Sequence, residues 1–458
     1  MSEKPSFSSV IANKGFRYLW FNQILVQLAY NTLNFALIIW VYKLVGSNLA
    51  VSVLMLSIYF PVILFGIFAG VFVDIADRRK IILAIDILLS VAFLLFILIK
   101  RSYPLILLNT FLVNSLAQFF MPSESSSIPM LVSKKQLFLA NSLFSLTLYG
   151  AFMVGFSLGG PVLNHLGINA IFYLGSLALF SAFFMARNLP SIKVSRPKKS
   201  FGNLLSLKNF RFMVNLTLKE GKETIEFARG RVRVAAAIGL MSAVQGVIGV
   251  LAVAMPDYLE RVLMIHASDS SYFLVIPLGL GMITGALGIG RFLHGKSKRS
   301  IVVPAVIGTG LVFLFIGAVP ALAHLLQLKD LPFYMGKPRY FFHAPSLSFW
   351  LGIASFFVGI FMVSIIVPCQ TVLQESTTER NRGKIFAVLA VVMTGFAAIP
   401  TVVAGGIADV VGVTPLITAM GAVAFIFGII ALRPNFFFRE KHLPFKLKEF
   451  LGLGHWIQ

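Results

Sequence analysis

Twelve stretches of 20 to 27 predominantly apolar residues recur along this 458-residue chain, and no other feature constrains its fold as tightly. A helix crosses the hydrocarbon core of a bilayer in roughly 20 residues. Inside that core every backbone N–H and C=O needs an internal partner, so runs of this length and composition are helices. The runs lie at about 18–44, 48–73, 81–100, 103–122, 138–163, 168–187, 233–256, 270–292, 301–325, 348–370, 384–408 and 411–432. Only 12% of the chain is charged, 58% is hydrophobic and the mean hydropathy is +0.88, against about 25% charged residues in a soluble domain. The expected class is an all-α polytopic membrane protein.

The charges fall between the runs and give the chain an orientation. With residue 1 placed inside, seven of the 39 Lys and Arg fall outside (Lys43, Lys100, Arg101, Arg261, Lys329, Lys337 and Arg339), which leaves 32 inside. That bias is the positive-inside pattern, and it predicts both termini on the cytoplasmic face of the cell (inner or plasma) membrane. It also accounts for the net charge of +22. The basic residues sit in loops rather than interleaved through a soluble fold, so nucleic-acid binding is not expected. The first twenty residues lack the short apolar core and cleavage site of a signal peptide, and the first run is expected to direct insertion uncleaved.

The chain divides into residues 1–187, with six runs, and 233–432, with six more. Between them lies a basic cytoplasmic linker, 188–232, which either lies along the anionic inner leaflet or is simply solvated. The tail, 433–458, mixes basic and aromatic residues and reads as an interfacial segment. Pro122 is followed twelve residues later by Lys134, and Pro368 twelve residues later by Arg380. The bases after run 2 have counterparts after run 8 in Arg291, Lys296, Lys298 and Arg299. Two repeats in register indicate two pseudo-symmetric six-helix bundles.

Runs 2 and 3 are joined by GVFVDIADRRK, Gly70 to Lys80. Gly70 and Asp74 share a helical face, where the glycine admits a close neighbour and the acid needs a partner or water. Arg78, Arg79 and Lys80 suit the negative end of helix 2, and Asp77 adds a second acid. Such a cluster either holds two rigid bodies together in one conformational state or only fixes orientation; acids contribute little to orientation, which favours the gate. Run 5 carries Gly155, Gly159, Gly160 and Pro161. Small residues allow tight packing, and the proline bends the helix. Polar stripes mark four helices: Gln23, Gln27, Asn31 and Asn34 on helix 1, Thr110, Asn114 and Gln118 on helix 4, Ser242 and Gln245 on helix 7, and Ser355, Ser364 and Gln370 on helix 10. They line a polar path or serve as interhelical glue.

GVFVDIADRRK resembles the G-x-x-x-D-R-x-x-R-R-K loop of the major facilitator superfamily, and its D-x-x-D-R-R form is similar to that of drug, macrolide and siderophore exporters. Gly70, Asp74, Asp77, Arg78 and Arg79 fall on matching positions, and Ile75 replaces the first arginine. NKGFRYLWFNQILVQLAYNTLNFAL resembles the first helix of that branch, AQFFMPSESSSIPMLVSKKQLFLANSL its helix 4–5 stretch, and GFSLGGPVLN its glycine-proline antiporter motif. LQESTTERNRGKIFAV extends the likeness into the second half. The resemblance implies the MFS fold, in which helices 1, 4, 7 and 10 line a central cavity. It makes Gln27, Tyr30, Asn31, Asn34, Asn114, Gln118, Gln245 and Ser364 the expected substrate-cavity residues, with Phe35 and Phe119 as an aromatic surface.

No acid falls near the middle of a run. Asp86 is expected to partner the Arg78–Lys80 cluster, Glu124 to sit at the cytoplasmic end of helix 4 and Asp257 at the outer end of helix 7, while His165 is expected at the surface. Tyr30 stands where many exporters of the branch place an acid, which argues against proton coupling by that route. The expectation is a monomeric secondary exporter of small amphipathic molecules working by rocker-switch alternating access, with protons as the coupling ion. A facilitator of lysolipids or nutrients without proton coupling is the alternative. No nucleotide-binding loop or clustered catalytic or metal-ligating set points to a pump or an enzyme, and no cofactor is expected. Cys369 reads as a small buried residue. The long aromatic outer loop, 328–346, caps the cavity or binds a partner.

Overall fold

The computed structural model describes residues 6–73, 76–133, 135–190, 232–292, 298–325, 347–375 and 382–432. Asp74, Ile75, nearly all of the middle linker, the 328–346 loop and the tail lie outside the described residues. So do the repeat positions Lys134, Lys296 and Arg380.

The described residues are helical, without strands. A short α1 (Phe7–Ala12) precedes α2 (Lys14–Val45), α3 (Asn48–Val73), α4 (Arg78–Ile99) and α5 (Tyr103–Leu131). The 51-residue α6 (Leu137–Arg187) breaks at Gly167, where φ is 77° and ψ is 172°. Only glycine takes up that backbone at little cost. Then follow α7 (Val232–Asp257), α8 (Ile276–Phe292), α9 (Lys298–Leu325), α10 (Leu347–Glu375), α11 (Arg382–Val411) and α12 (Val413–Leu432). Among the described residues eleven helices are long and apolar enough to cross a membrane. Dividing α6 at Gly167 gives two membrane-length segments and makes twelve, the number of apolar runs.

One boundary moves in a way that matters. The run at 103–122 was expected to end at Pro122, yet α5 continues to Leu131 through both Pro122 and Pro129. A proline removes one backbone donor, here the donors to the Gln118 and Ser125 carbonyls, four residues before Pro122 and Pro129. Nearby serines bond to other carbonyls: Ser123 donates to that of Phe119 at 2.7 Å, and Ser127 to that of Ser123 at 2.6 Å. The backbone break in α6 falls at Gly167, inside the 164–167 gap between the fifth and sixth apolar runs.

The described residues of 6–45 and 56–190 form one compact unit, and those of 46–55 and from 232 onward form another. Helix α3 therefore begins in the second unit and continues in the first. In the first unit α2 lies against α6 at van der Waals distance. A Cβ on Gly155 would stand 2.7 Å from Asn31 Cβ, and one on Gly159 would strike the Phe35 ring. Phe16, Leu33, Phe93, Phe120 and Phe172 are fully or almost fully buried there, and Phe96 stacks on Phe172 with centroids 5.3 Å apart. In the second unit α9 packs on α12 and α8 on α10. A Cβ on Gly285 would meet the Ile360 backbone at 3.0 Å, and one on Gly421 the Leu314 nitrogen at 2.7 Å. Large apolar side chains also point outward, among them Leu98 at 82% and Val410 at 86% exposed. Outward apolar faces of this kind suit lipid rather than water.

Replacing Gly155 with valine is expected to lower stability by about 1–3 kcal/mol through overpacking. The check is a lower melting midpoint of the detergent-purified protein in fluorescence-detected size-exclusion chromatography. Gly239→Ala, where a Cβ meets open space, should leave that midpoint unchanged.

Candidate functional site

In the first unit, the loop between α3 and α4 is tied down by its own charged residues. Asp77 caps α4, accepting the Arg79 N–H at 3.1 Å. Arg78 donates through Nη1 to the Ser126 carbonyl near the end of α5 at 2.9 Å. Arg79 donates through Nη2 to the Arg187 carbonyl, the last residue of α6, at 2.6 Å. Cations at helix C-terminal carbonyls are stabilised by both hydrogen bond and dipole. Lys80 is exposed. At Gly70 a Cβ would meet open space among the described residues, and close helix approaches in the first unit lie at Gly155 and Gly159.

Asp86 was expected beside the arginine cluster. It is fully buried, and one carboxylate oxygen accepts from Asn22 Nδ2 at 2.7 Å; the other has no hydrogen-bond partner. Asn22 also donates to the Ala182 carbonyl at 2.9 Å, joining α2, α4 and α6. Glu124 is the larger departure. With α5 extended to Leu131, Glu124 lies inside the helix, 1% exposed, with neither carboxylate oxygen hydrogen-bonded. It is close enough to Asp86 for the two carboxyls to interact electrostatically. An acid inside a membrane span is costly unless it meets a partner, water or a proton, and such acids mark ion pathways. Glu124 was expected at the cytoplasmic end of helix 4, just past Pro122; because α5 runs on to Leu131, it lies within the helix, seven residues before its last residue.

The polar stripe of the first unit is brought together in part. The Tyr30 hydroxyl hydrogen-bonds Asn114 Oδ1, linking α2 to α5. Asn114 Nδ2 donates to the Thr110 carbonyl at 2.8 Å, and Gln118 Nε2 to the Asn114 carbonyl at 3.3 Å. Asn31 Nδ2 donates to the Gln27 carbonyl at 2.8 Å. Gln27, Asn31 and Asn34 are each 7% exposed, and the Asn34 amide oxygen has no hydrogen-bond partner. Phe35 packs on Phe156, ring centroids 5.6 Å apart. Phe119 meets Phe65, Phe68 and Phe72 at 5.6 to 6.3 Å, an aromatic wall between α3 and α5. The glycine-rich stretch of α6 faces α2 at Gly155 and Gly159, and Gly160 is buried. His165, also on α6, is exposed.

In the second unit Gln245 is exposed on α7, and Ser364 on α10 donates to the Ile360 carbonyl at 2.8 Å. Cys369 is buried. A polar clasp there had no counterpart in the sequence reading. Asp409, near the end of α11, accepts the Asn48 N–H at 2.7 Å, the Leu49 N–H at 3.0 Å and the Ser47 hydroxyl at 2.5 Å. These are orphan donors at the start of α3. Asn48 Nδ2 also reaches Asp257 Oδ2 at 2.9 Å, and Arg261 pairs with Asp257 at 2.9 Å while donating to the Gly46 carbonyl at 3.0 Å. The sequence does carry Ser-Asn just ahead of an apolar run, a helix-start signal, but not the distant acid that answers it. Among the described residues no group of three or more His, Cys, Asp or Glu could hold a metal ion.

Comparison with known proteins agrees with this architecture. A family model described as Major Facilitator Superfamily matches residues 19–336. A curated relative, an uncharacterized MFS-type transporter, YfiS of Bacillus subtilis (strain 168), is 25% identical over 171 residues. That match covers 36% of this chain and 41% of the relative. A POT family transporter solved with 5-aminolevulinic acid superposes with a TM-score of 0.68 at 12% identity, covering 92% of this chain and 96% of that one. The nucleoside transporter NupG gives 0.63 at 12% identity, over 90% and 98%. The human organic anion transporter MFSD10 gives 0.57 at 13% identity, over 91% and 98%. At these identities the likeness is one of fold.

The clasp yields a direct test. Asp409→Ala removes the acceptor of two amides and should weaken the start of α3 by about 1 kcal/mol, the scale of an exposed helix cap. Hydrogen exchange followed by mass spectrometry should then show faster exchange at Asn48 and Leu49, with exchange in α9 unchanged.

Proposed function

The chain belongs to the Major Facilitator Superfamily, and from that premise we propose that it is a secondary transporter that exports small amphipathic molecules by alternating access, driven by protons. It is a multi-pass membrane protein. The observation that carries the coupling is Glu124: a carboxyl 1% exposed within a membrane span, with no hydrogen-bond partner and a second buried acid, Asp86, close by. Loading and release of a proton there is a means of driving the cycle. Tyr30 does not prevent this, because the acid sits elsewhere.

Export rests on the resemblance of the Gly70–Lys80 loop and of the Gly155–Pro161 stretch to exporters. The amphipathic substrate class rests on the first unit's mix of amides, Gln27, Asn31, Asn34, Asn114 and Gln118, and of aromatic rings, Phe65, Phe68, Phe72 and Phe119. Gln245 and Ser364 are assigned to the substrate path from the second unit. The gate is assigned to Gly70, Asp74, Asp77, Arg78, Arg79, Lys80 and Asp86. The bonds of Arg78 and Arg79 to carbonyls of α5 and α6 support it, since such bonds can be made in one state and broken in another. The arrangement proposed is two six-helix bundles in one monomer, 1–187 and 233–432, in the cell membrane with both termini cytoplasmic. The basic linker and tail lie on that face.

The test is accumulation of fluorescent lipophilic cations in a host deleted for its own efflux pumps. The wild type should lower accumulation, and a protonophore should restore it to the level of the empty host. Glu124→Gln, present in the membrane at the wild-type amount, should have the same effect as the protonophore. Lowered accumulation that survives both would overturn proton coupling and require another driving gradient. No change for any dye would remove the broad amphipathic class.

A further inference from the structure

A groove of about 580 Å³ opens in the second unit among α7, α9, α10 and α12. It has the size of a ligand pocket, and its lining among the described residues is apolar apart from Thr309 and the charged Arg299. Its floor is buried: Val244, Val302, Met362 and Ile365 are each 7% exposed or less. Its rim is open, with Val423 at 69% and Phe427 at 49% exposed on α12. Those residues are therefore accessible from the side of the helix bundle.

The lining on α9 runs from Arg299 to Thr309 and that on α12 from Met420 to Ala431. At a rise of 1.5 Å per residue these are lengths of about 15 Å. One leaflet of the hydrocarbon core is also about 15 Å thick. Arg299 stands at one end of this length, where its Nη2 donates to the Ala431 carbonyl at 2.7 Å. That bond holds the guanidinium in place and uses one of its five N–H donors. Among the described residues no acid lines the groove to neutralise it. A slot one leaflet long, apolar along its length, open at the rim and cationic at one end matches one molecule: a lipid with its chain in the slot and its anionic headgroup at the guanidinium. Planar arginine suits bidentate contact with phosphate oxygens.

We propose that this groove is a binding site for one anionic glycerophospholipid of the leaflet at the Arg299 end. The site lies within the second unit and does not depend on the direction of transport or on the substrate.

Native mass spectrometry of the full, delipidated chain provides the test, with phosphatidylglycerol and phosphatidylcholine of identical acyl chains as probes. The first phosphatidylglycerol should bind at least about five-fold more tightly than the first phosphatidylcholine, as expected for one basic residue at a membrane surface. Arg299→Gln should remove that preference. Gly239→Leu puts a side chain into the groove at a position where an added Cβ meets open space; with an unchanged elution profile in size-exclusion chromatography, it should reduce first-site occupancy by either lipid. Equal binding of the two lipids to the wild type would overturn the proposal. So would a preference that survives Arg299→Gln, or phosphatidylglycerol binding untouched by Gly239→Leu.

Discussion

In the hydrocarbon core no water is at hand to satisfy a polar group, and much of this structure follows from that constraint. It makes every crossing a helix. It also sets how interruptions are tolerated. Proline occurs inside α3, α5, α6, α7, α9, α10 and α11, and each of them continues as a helix. The same constraint makes the few buried side chains that remain unsatisfied stand out. Asn22 and Asp86 satisfy each other in part, as do Tyr30 and Asn114. Glu124 is satisfied by nothing among the described residues, which is why it carries the functional reading.

Close packing supplies what the hydrophobic effect cannot. Lipid tails are as apolar as leucine, so helix association in a bilayer depends on van der Waals fit and interhelical hydrogen bonds. Glycines at the α2–α6 and α8–α10 contacts bring side chain or backbone within about 3 Å of where a Cβ would stand. The clasp around Asp409 works differently. It is electrostatic, it answers free amides at a helix start, and it lies at an exposed end where water can compete. A contact of that kind can be remade at small cost, whereas a glycine seam cannot.

The legibility of the site varied with the range of the interaction. Asp77 was read only as a second acid of the loop cluster, and the structure gives it a local capping bond to the Arg79 N–H. The Gly155–Gly159 seam was legible because small residues at helical spacing mark a packed face. Asp86 was assigned to nearby arginines, and its partner proved to be Asn22, 64 residues away. Glu124 was misplaced by a single local inference, that Pro122 ends a helix.

The sequence by itself determined the membrane class, the number of crossings and the positions of nearly all their ends. Those follow from hydropathy, length and loop charge, which are properties of each segment taken alone. Tertiary structure decided which polar groups meet. The Asp409 clasp joins residues some 360 positions apart, and the cationic groove draws on four separate helices. Only the packed helices bring those groups within hydrogen-bond reach, because a helical pattern fixes the face a residue occupies and leaves open which helix lies opposite.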